Sequence, residues 1–126
     1  MKLLIDTHVL LWGINAPERV PRAVGQALAS PSNQTFVSAV CIWEIAIKAR
    51  IGKLDAPEDL LDLVGRHTDF RILDITAAHA WRVRRLPNLH RDPFDQLLVA
   101  QALVEDMTVV THDRSIGQYG VPILAV

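Results

Sequence analysis

KLLIDTHVLL, residues 2–11, sets three apolar residues, Leu3, Leu4 and Ile5, before a carboxylate, Asp6, and resumes an apolar run at Val9, Leu10, Leu11 and Trp12. The first run is short and unbroken, as in a strand buried on both faces. The second follows a residue type that caps helices. A strand passing straight into a helix opens a βαβ unit, and the rest of the chain repeats that alternation.

Further strand-like runs stand at residues 35–37 (TFV), 70–73 (FRIL), 108–111 (TVVT) and 121–124 (VPIL), after the first at 2–5. Helical patterns fill the intervals at 7–13, 21–29, 39–50, 57–67, 76–85 and 93–105, with a short turn after Arg114. Ser38 and Thr76 stand where N-caps belong, Pro57 opens PEDLLDLV as a first-turn proline, and Asp92 precedes Pro93 as cap and first helical residue. The expected fold is α/β: a three-layer α/β/α sandwich with a central, mainly parallel sheet of about five strands joined by right-handed crossovers.

A length of 126 residues fits one domain over residues 1–126, and 50% hydrophobic with 21% charged residues is ordinary globular composition. No apolar run approaches the roughly 18 residues of a membrane span, and Asp6 and His8 interrupt the first apolar stretch, unlike a signal peptide. The expectation is a soluble, cytoplasmic protein with no membrane partner. Cys41 is the single cysteine, which excludes an internal disulfide and a cysteine metal site and fits a buried thiol.

A net charge of −1 argues against a surface coated with positive charge for nonspecific nucleic-acid binding. The basic residues are nonetheless clustered. HAWRVRRLPNLHR, residues 79–91, carries Arg82, Arg84, Arg85 and Arg91 and no acid, and a smaller group holds Lys48, Arg50 and Lys53. Such runs are ordinarily solvated helix faces, and they point to phosphate contacts only beside an active site.

In open α/β sheets ligands bind beyond the carboxyl ends of the strands, so the residues just after each strand matter most. Asp6 follows the first strand and Asp113 follows TVVT by one residue; each also suits a helix cap. Asp95 falls at the third position of the helix that Asp92 caps, where an acid favours the helix dipole. Glu44 resists a structural reading most. It is the only charged residue between Ser38 and Lys48, in an apolar helix, and needs a partner there. Lys48 at i+4 is one such partner, and an external cation is the other. Should these acids converge, repulsion raises their affinity for protons or a cation, and all-oxygen donors select a hard ion such as Mg²⁺ or Mn²⁺. Such an ion activates water against a phosphodiester. His8 and His112 flank two of the acids and read as hydrogen-bonding residues rather than ligands.

LLIDTHVLLW, VSAVCIWEIAIKARIGKL, HRDPFDQLLVAQAL and VVTHDRSI, in this order and spacing, resemble the PIN-domain ribonucleases, specifically the VapC toxins of type II toxin–antitoxin pairs. The likeness runs from Lys2 to the last strand. It implies Mg²⁺-dependent endonucleolytic cleavage of RNA, with Mn²⁺ as substitute, at an acidic pocket on the carboxyl edge of the sheet. Asp6, Glu44, Asp95 and Asp113 match the family's acidic quartet. Asp6 and Asp95 are the implied main metal ligands, with Glu44 and Asp113 shaping the pocket or holding waters. Thr111 matches a hydroxyl position near the metal water. Asp74, near another strand end, is set aside on this alignment alone. Gln96 departs from the family, where Arg is common. The resemblance also implies a cognate VapB-like antitoxin, a homodimer, larger toxin–antitoxin complexes, and DNA binding through the antitoxin only. HVLLWGI and PEDLLDLVGRH are the candidate contact segments.

Two other readings are weighed. A Mg²⁺-dependent phosphatase or phosphoacceptor generally has a second acid close to the first and a late lysine, but Asp6 precedes Thr7 and His8, and the lysines are Lys2, Lys48 and Lys53. No phosphate-binding glycine loop occurs. A non-catalytic RNA- or protein-binding module would use the arginines equally well, and the intact acid set is what distinguishes the enzyme.

Overall fold

The computed structural model describes residues 1–66, 69–89 and 92–126. Five strands form one parallel sheet: β1 (Lys2–Ile5), β2 (Gln34–Ser38), β3 (Phe70–Leu73), β4 (Thr108–Thr111) and β5 (Ile123–Ala125), in the order β3-β2-β1-β4-β5. Among the described residues six helices flank it: α1 (Thr7–Asn15), α2 (Arg22–Ala29), α3 (Ala39–Arg50), α4 (Leu60–Gly65), α5 (Ala77–Arg82) and α6 (Pro93–Glu105). Three short 3₁₀ segments complete it, at Pro17–Arg19, Val83–Arg85 and Arg114–Tyr119. Among the described residues no helix is long and apolar enough to cross a membrane.

The core lies on both faces of the central strands, as their unbroken apolar runs require. Leu3, Leu4, Val109 and Val110 are wholly inaccessible, and Val99 of α6 covers them from a helical layer. A polar chain crosses the same interior. The Ser38 hydroxyl, which caps α3 by accepting the Val40 N–H, donates to Gln101 Oε1 of α6. Gln101 Nε2 donates to the Asp74 carbonyl at 3.3 Å and to His79 Nδ1 at 3.3 Å. That nitrogen also accepts the Thr76 N–H at 3.1 Å, so the ring proton sits on Nε2 and is donated to Glu105 at 3.1 Å. Buried polar atoms are thus paired across α3, α5 and α6, which sets the mutual position of α3 and α6.

Four strands begin and end within a residue of the sequence reading, and three boundaries need correction. The last strand starts at Ile123, not Val121, because Pro122 has no N–H for the ladder and contributes only its carbonyl, to Val109 N. Pro57 does not open a helix; it closes a single turn onto Leu60 N, and α4 starts where the buried pair Leu60 and Val64 begins. The expected end of that helix, His67, lies outside the described residues. The pattern over 76–85 divides into α5 and the 3₁₀ turn at Val83.

The strand order has one functional consequence. From β1 the chain winds to β2 and β3 on one side, then returns to β4 and β5 on the other, so β1 and β4 meet at a topological switch point. The crevice beyond their carboxyl ends is where such folds bind ligands.

Candidate active site

Asp6 continues β1 by one residue: its N–H donates to the Val110 carbonyl at 3.0 Å, placing it beside the end of β4. It caps α1, Oδ1 accepting the Val9 N–H at 2.9 Å, while Oδ2 accepts the Thr111 hydroxyl. The same carboxylate therefore ends a strand, starts a helix and faces the crevice. Burial pushes its pKa above the ordinary value, and the hydrogen bonds from Thr111 and Val9 oppose that shift without cancelling it. Among the described residues no lysine or arginine pairs with it.

Thr111 is completely buried, and its oxygen also accepts the Asp113 N–H at 3.0 Å, linking the two strand-end acids. Asp113 is exposed and caps the 3₁₀ segment, Oδ1 accepting the Ser115 N–H at 3.0 Å. Capping is thus an observed role of both Asp6 and Asp113.

Glu44 projects from the middle of α3 and is 6% exposed. Its Oε1 accepts the Thr7 hydroxyl at 2.6 Å and its Oε2 pairs with Lys48 Nζ at 2.5 Å, one helical turn on. The internal salt bridge weighed from sequence therefore exists. The Glu44 hydrogen bond, with the charges of Glu44, Asp92 and Asp95, holds the Lys48 ammonium above its ordinary pKa despite partial burial. Asp95 is half-buried in the first turn of α6, its N–H donating to Asp92 Oδ1 at 2.8 Å. Asp92 is thus the cap, as expected.

Cys41 reports how these acids converge. Its thiol is buried and donates to the Ile5 carbonyl at 3.6 Å. Burial first, then the charges of Asp6, Glu44 and Asp95, push its pKa up to about 12, against a Thr7 hydrogen bond. Three carboxylates, from the end of β1, α3 and α6, thus lie near enough to act on this thiol, and Asp113 is tied to Asp6 through Thr111. Among the described residues no three carboxylate, imidazole or thiol groups stand close enough to hold an ion as they are. The donors nevertheless fit a hard divalent cation: they are carboxylate and hydroxyl oxygens, and one, Asp6, is a largely desolvated carboxylate that no lysine or arginine among the described residues pairs with.

Around this centre, Trp43 of α3 is 50% exposed and meets Phe94 of α6 edge-to-face at 5.0 Å, each next in sequence to an acid. His8 and His112 flank Trp12, at 6.4 and 5.0 Å, and Arg19 lies over that ring at 4.2 Å. Arg84 and Arg85 are exposed in the 3₁₀ turn packed on α6, Arg84 lying over Trp81 at 4.5 Å, and Arg82 is half-buried. Arg91 lies outside the described residues. Thr7 and Gln101 went unnoticed in the sequence. Thr7 is a hydroxyl directly after a strand-end acid, which is the signal that could have found it; an interior glutamine leaves none.

A cavity of about 660 Å³, mainly apolar, lies elsewhere, lined by Val9, Leu10 and Ile14 of α1, Leu28 of α2, Val64 of α4 and Phe70 of β3. It joins the two segments HVLLWGI and PEDLLDLVGRH on one surface.

Comparison with known proteins follows the same lines. The model of the PIN domain family matches residues 3–122. Ribonuclease VapC22 of Mycobacterium tuberculosis is 27% identical over 122 residues, covering 95% of this chain and 93% of that protein. Among solved structures, VapBC2 from Rickettsia felis bound to a promoter DNA fragment superposes with a TM-score of 0.77 at 17% identity, over 99% of this chain and 98% of that one. DNA-bound VapBC from Salmonella typhimurium gives 0.72 at 22% identity, with the same coverages of 99% and 98%. At these identities the structures bear on fold alone.

Proposed function

The chain belongs to the PIN domain family, and from that premise we propose that it is the toxin of a type II toxin–antitoxin pair, a divalent-metal-dependent endoribonuclease of the VapC kind. What supports this reading most is that Asp6, Glu44 and Asp95, from three separate elements, all lie near enough to the Cys41 thiol, beside the end of β1, to raise its pKa. Function is carried by a site rather than by a fold, and like charges gathered in a partly buried crevice suit a cation-dependent one.

Asp6 and Asp95 are the main ligands of Mg²⁺, with Mn²⁺ as substitute; Glu44 and Asp113 hold its waters or a second ion. When bound, such an ion supplies acidity for a water nucleophile and neutralises charge on the scissile phosphate. Thr111 positions Asp6 through its hydroxyl, and the Val9 N–H fixes the other oxygen. Arg84 and Arg85, with Arg82 and Arg91, contact the RNA backbone, while Trp43 and Phe94 offer rings to unstacked bases of single-stranded RNA.

A VapB-like antitoxin is the partner this reading implies, and the mainly apolar cavity between α1, α2 and α4 is the surface we assign to its apolar segment. The toxin forms a homodimer and larger complexes with the antitoxin, meets DNA only through it, and acts in the cytoplasm. Co-expression with the neighbouring open reading frame should yield a stable complex, and replacing Ile14 and Leu63, half-buried residues of the cavity wall, by Asp should dissolve it while each chain stays folded.

The Glu44–Lys48 bridge favours one second reading, a non-catalytic RNA- or protein-binding module whose acids are structural. End-mapping of RNA incubated with the purified chain and Mg²⁺ separates the two. Cleavage abolished by EDTA and by Asp6→Asn or Asp95→Asn, with unchanged circular dichroism, is the expected result. Full cleavage by either variant, or in EDTA, refutes the mechanism.

A further inference from the structure

We propose that Lys48 is a built-in counter-ion of the carboxylate cluster, which a divalent ion must displace from Glu44 in order to bind. The proposal rests on the metal-site reading above and adds to it a competitor encoded in the chain.

Three observations carry it. Lys48 Nζ is paired with Glu44 Oε2 at 2.5 Å, and the other oxygen of Glu44 is taken by the Thr7 hydroxyl at 2.6 Å, so Glu44 has both oxygens engaged. The same ammonium feels the charges of Asp92 and Asp95, across the α3–α6 contact. Among the described residues it is the cation paired with Glu44, and it lies within the field of two further acids.

The lysine is also able to leave. Its side chain is 32% exposed, while Glu44 is at 7%, so the ammonium has water beside it and the carboxylate does not. An exposed partner on a flexible stem gives up a salt bridge at small cost. A divalent ion brings twice the charge and accepts oxygens from several directions, which one ammonium held by Glu44 does not.

Two measurements test this on the intact chain. Isothermal titration with Mg²⁺ should show Lys48→Gln binding about fivefold more tightly than wild type, the effect of removing one partly solvated positive charge. Lys48→Arg should stay at or below wild-type affinity, and Lys53→Gln, an exposed lysine outside the cluster, should bind as wild type does. The second measurement needs no variant: pulse dimethylation of wild type, read by mass spectrometry, compares Lys48 with Lys2 and Lys53, the only other lysines. Adding Mg²⁺ should raise labelling of Lys48 and leave the other two unchanged.

Equal or weaker Mg²⁺ binding by a folded Lys48→Gln variant overturns the proposal, as does labelling of Lys48 indifferent to Mg²⁺. Absence of Mg²⁺ binding by both proteins overturns it together with the metal site. Tighter binding without RNA cleavage supports it and refutes only the ribonuclease reading.

Discussion

Replacing Asp6 by Asn should abolish the proposed activity and stabilise the fold. The carboxylate is buried deeply enough that burial dominates its pKa and raises it, so its charge opposes folding at neutral pH. Glu44 adds repulsion. Asn keeps what the position contributes: its oxygen accepts the Val9 N–H, since Asn caps helices as well as Asp, and its amide donates to a rotated Thr111 hydroxyl. What disappears is the desolvated charge and its repulsion with a neighbouring acid, about 1 kcal/mol at an intermediate effective dielectric. In a chain of this length that raises Tm by roughly 3–4 °C. The assay is thermal denaturation of both proteins in EDTA at pH 7, then across pH. Because the folded pKa is raised, the wild type regains stability relative to Asn as pH falls through that value. The gap thus narrows as pH falls and is closed below the ordinary carboxylate value of 3.8. Excess Mg²⁺ should narrow or reverse the gap, by about 1.4 kcal/mol at tenfold Kd, by stabilising only the wild type. A variant that melts below wild type in EDTA, or a gap independent of pH, refutes the reasoning.

Gln101→Leu should cost about 2–3 kcal/mol, read as a lower urea midpoint, because it strands the Ser38 hydroxyl, the Asp74 carbonyl and one side of His79 together. Cys41 should resist alkylation in the native state at pH 8 and react only on unfolding, since its thiol is buried with a pKa of about 12; fast native-state alkylation would contradict its placement. Arg84→Ala with Arg85→Ala should weaken RNA binding and flatten its salt dependence by about two phosphate contacts, measured by fluorescence anisotropy. Unchanged binding removes these arginines from the interface.

The sequence alone determined the alternation of strands and helices, because runs such as KLLI and TVVT are unbroken where both faces are buried, and because Ser38, Thr76 and Asp92 stand where helix caps must. It also singled out Glu44, as a charge inside an apolar helix. The partner of Glu44 was a different matter. Lys48 and an external cation satisfied the spacing equally, and only the folded chain shows Lys48 seated on one oxygen and Thr7 on the other. Nor does any local pattern encode that β1 lies beside β4, 105 residues apart at Asp6 and Thr111, so the meeting of these side chains is a property of strand order. Turn chemistry misled at Pro57, where local propensity yielded to the burial of Leu60 and Val64. Secondary structure follows from forces acting over a few residues, and these are written along the chain. The charge balance of the crevice depends on distances between elements, which packing alone decides.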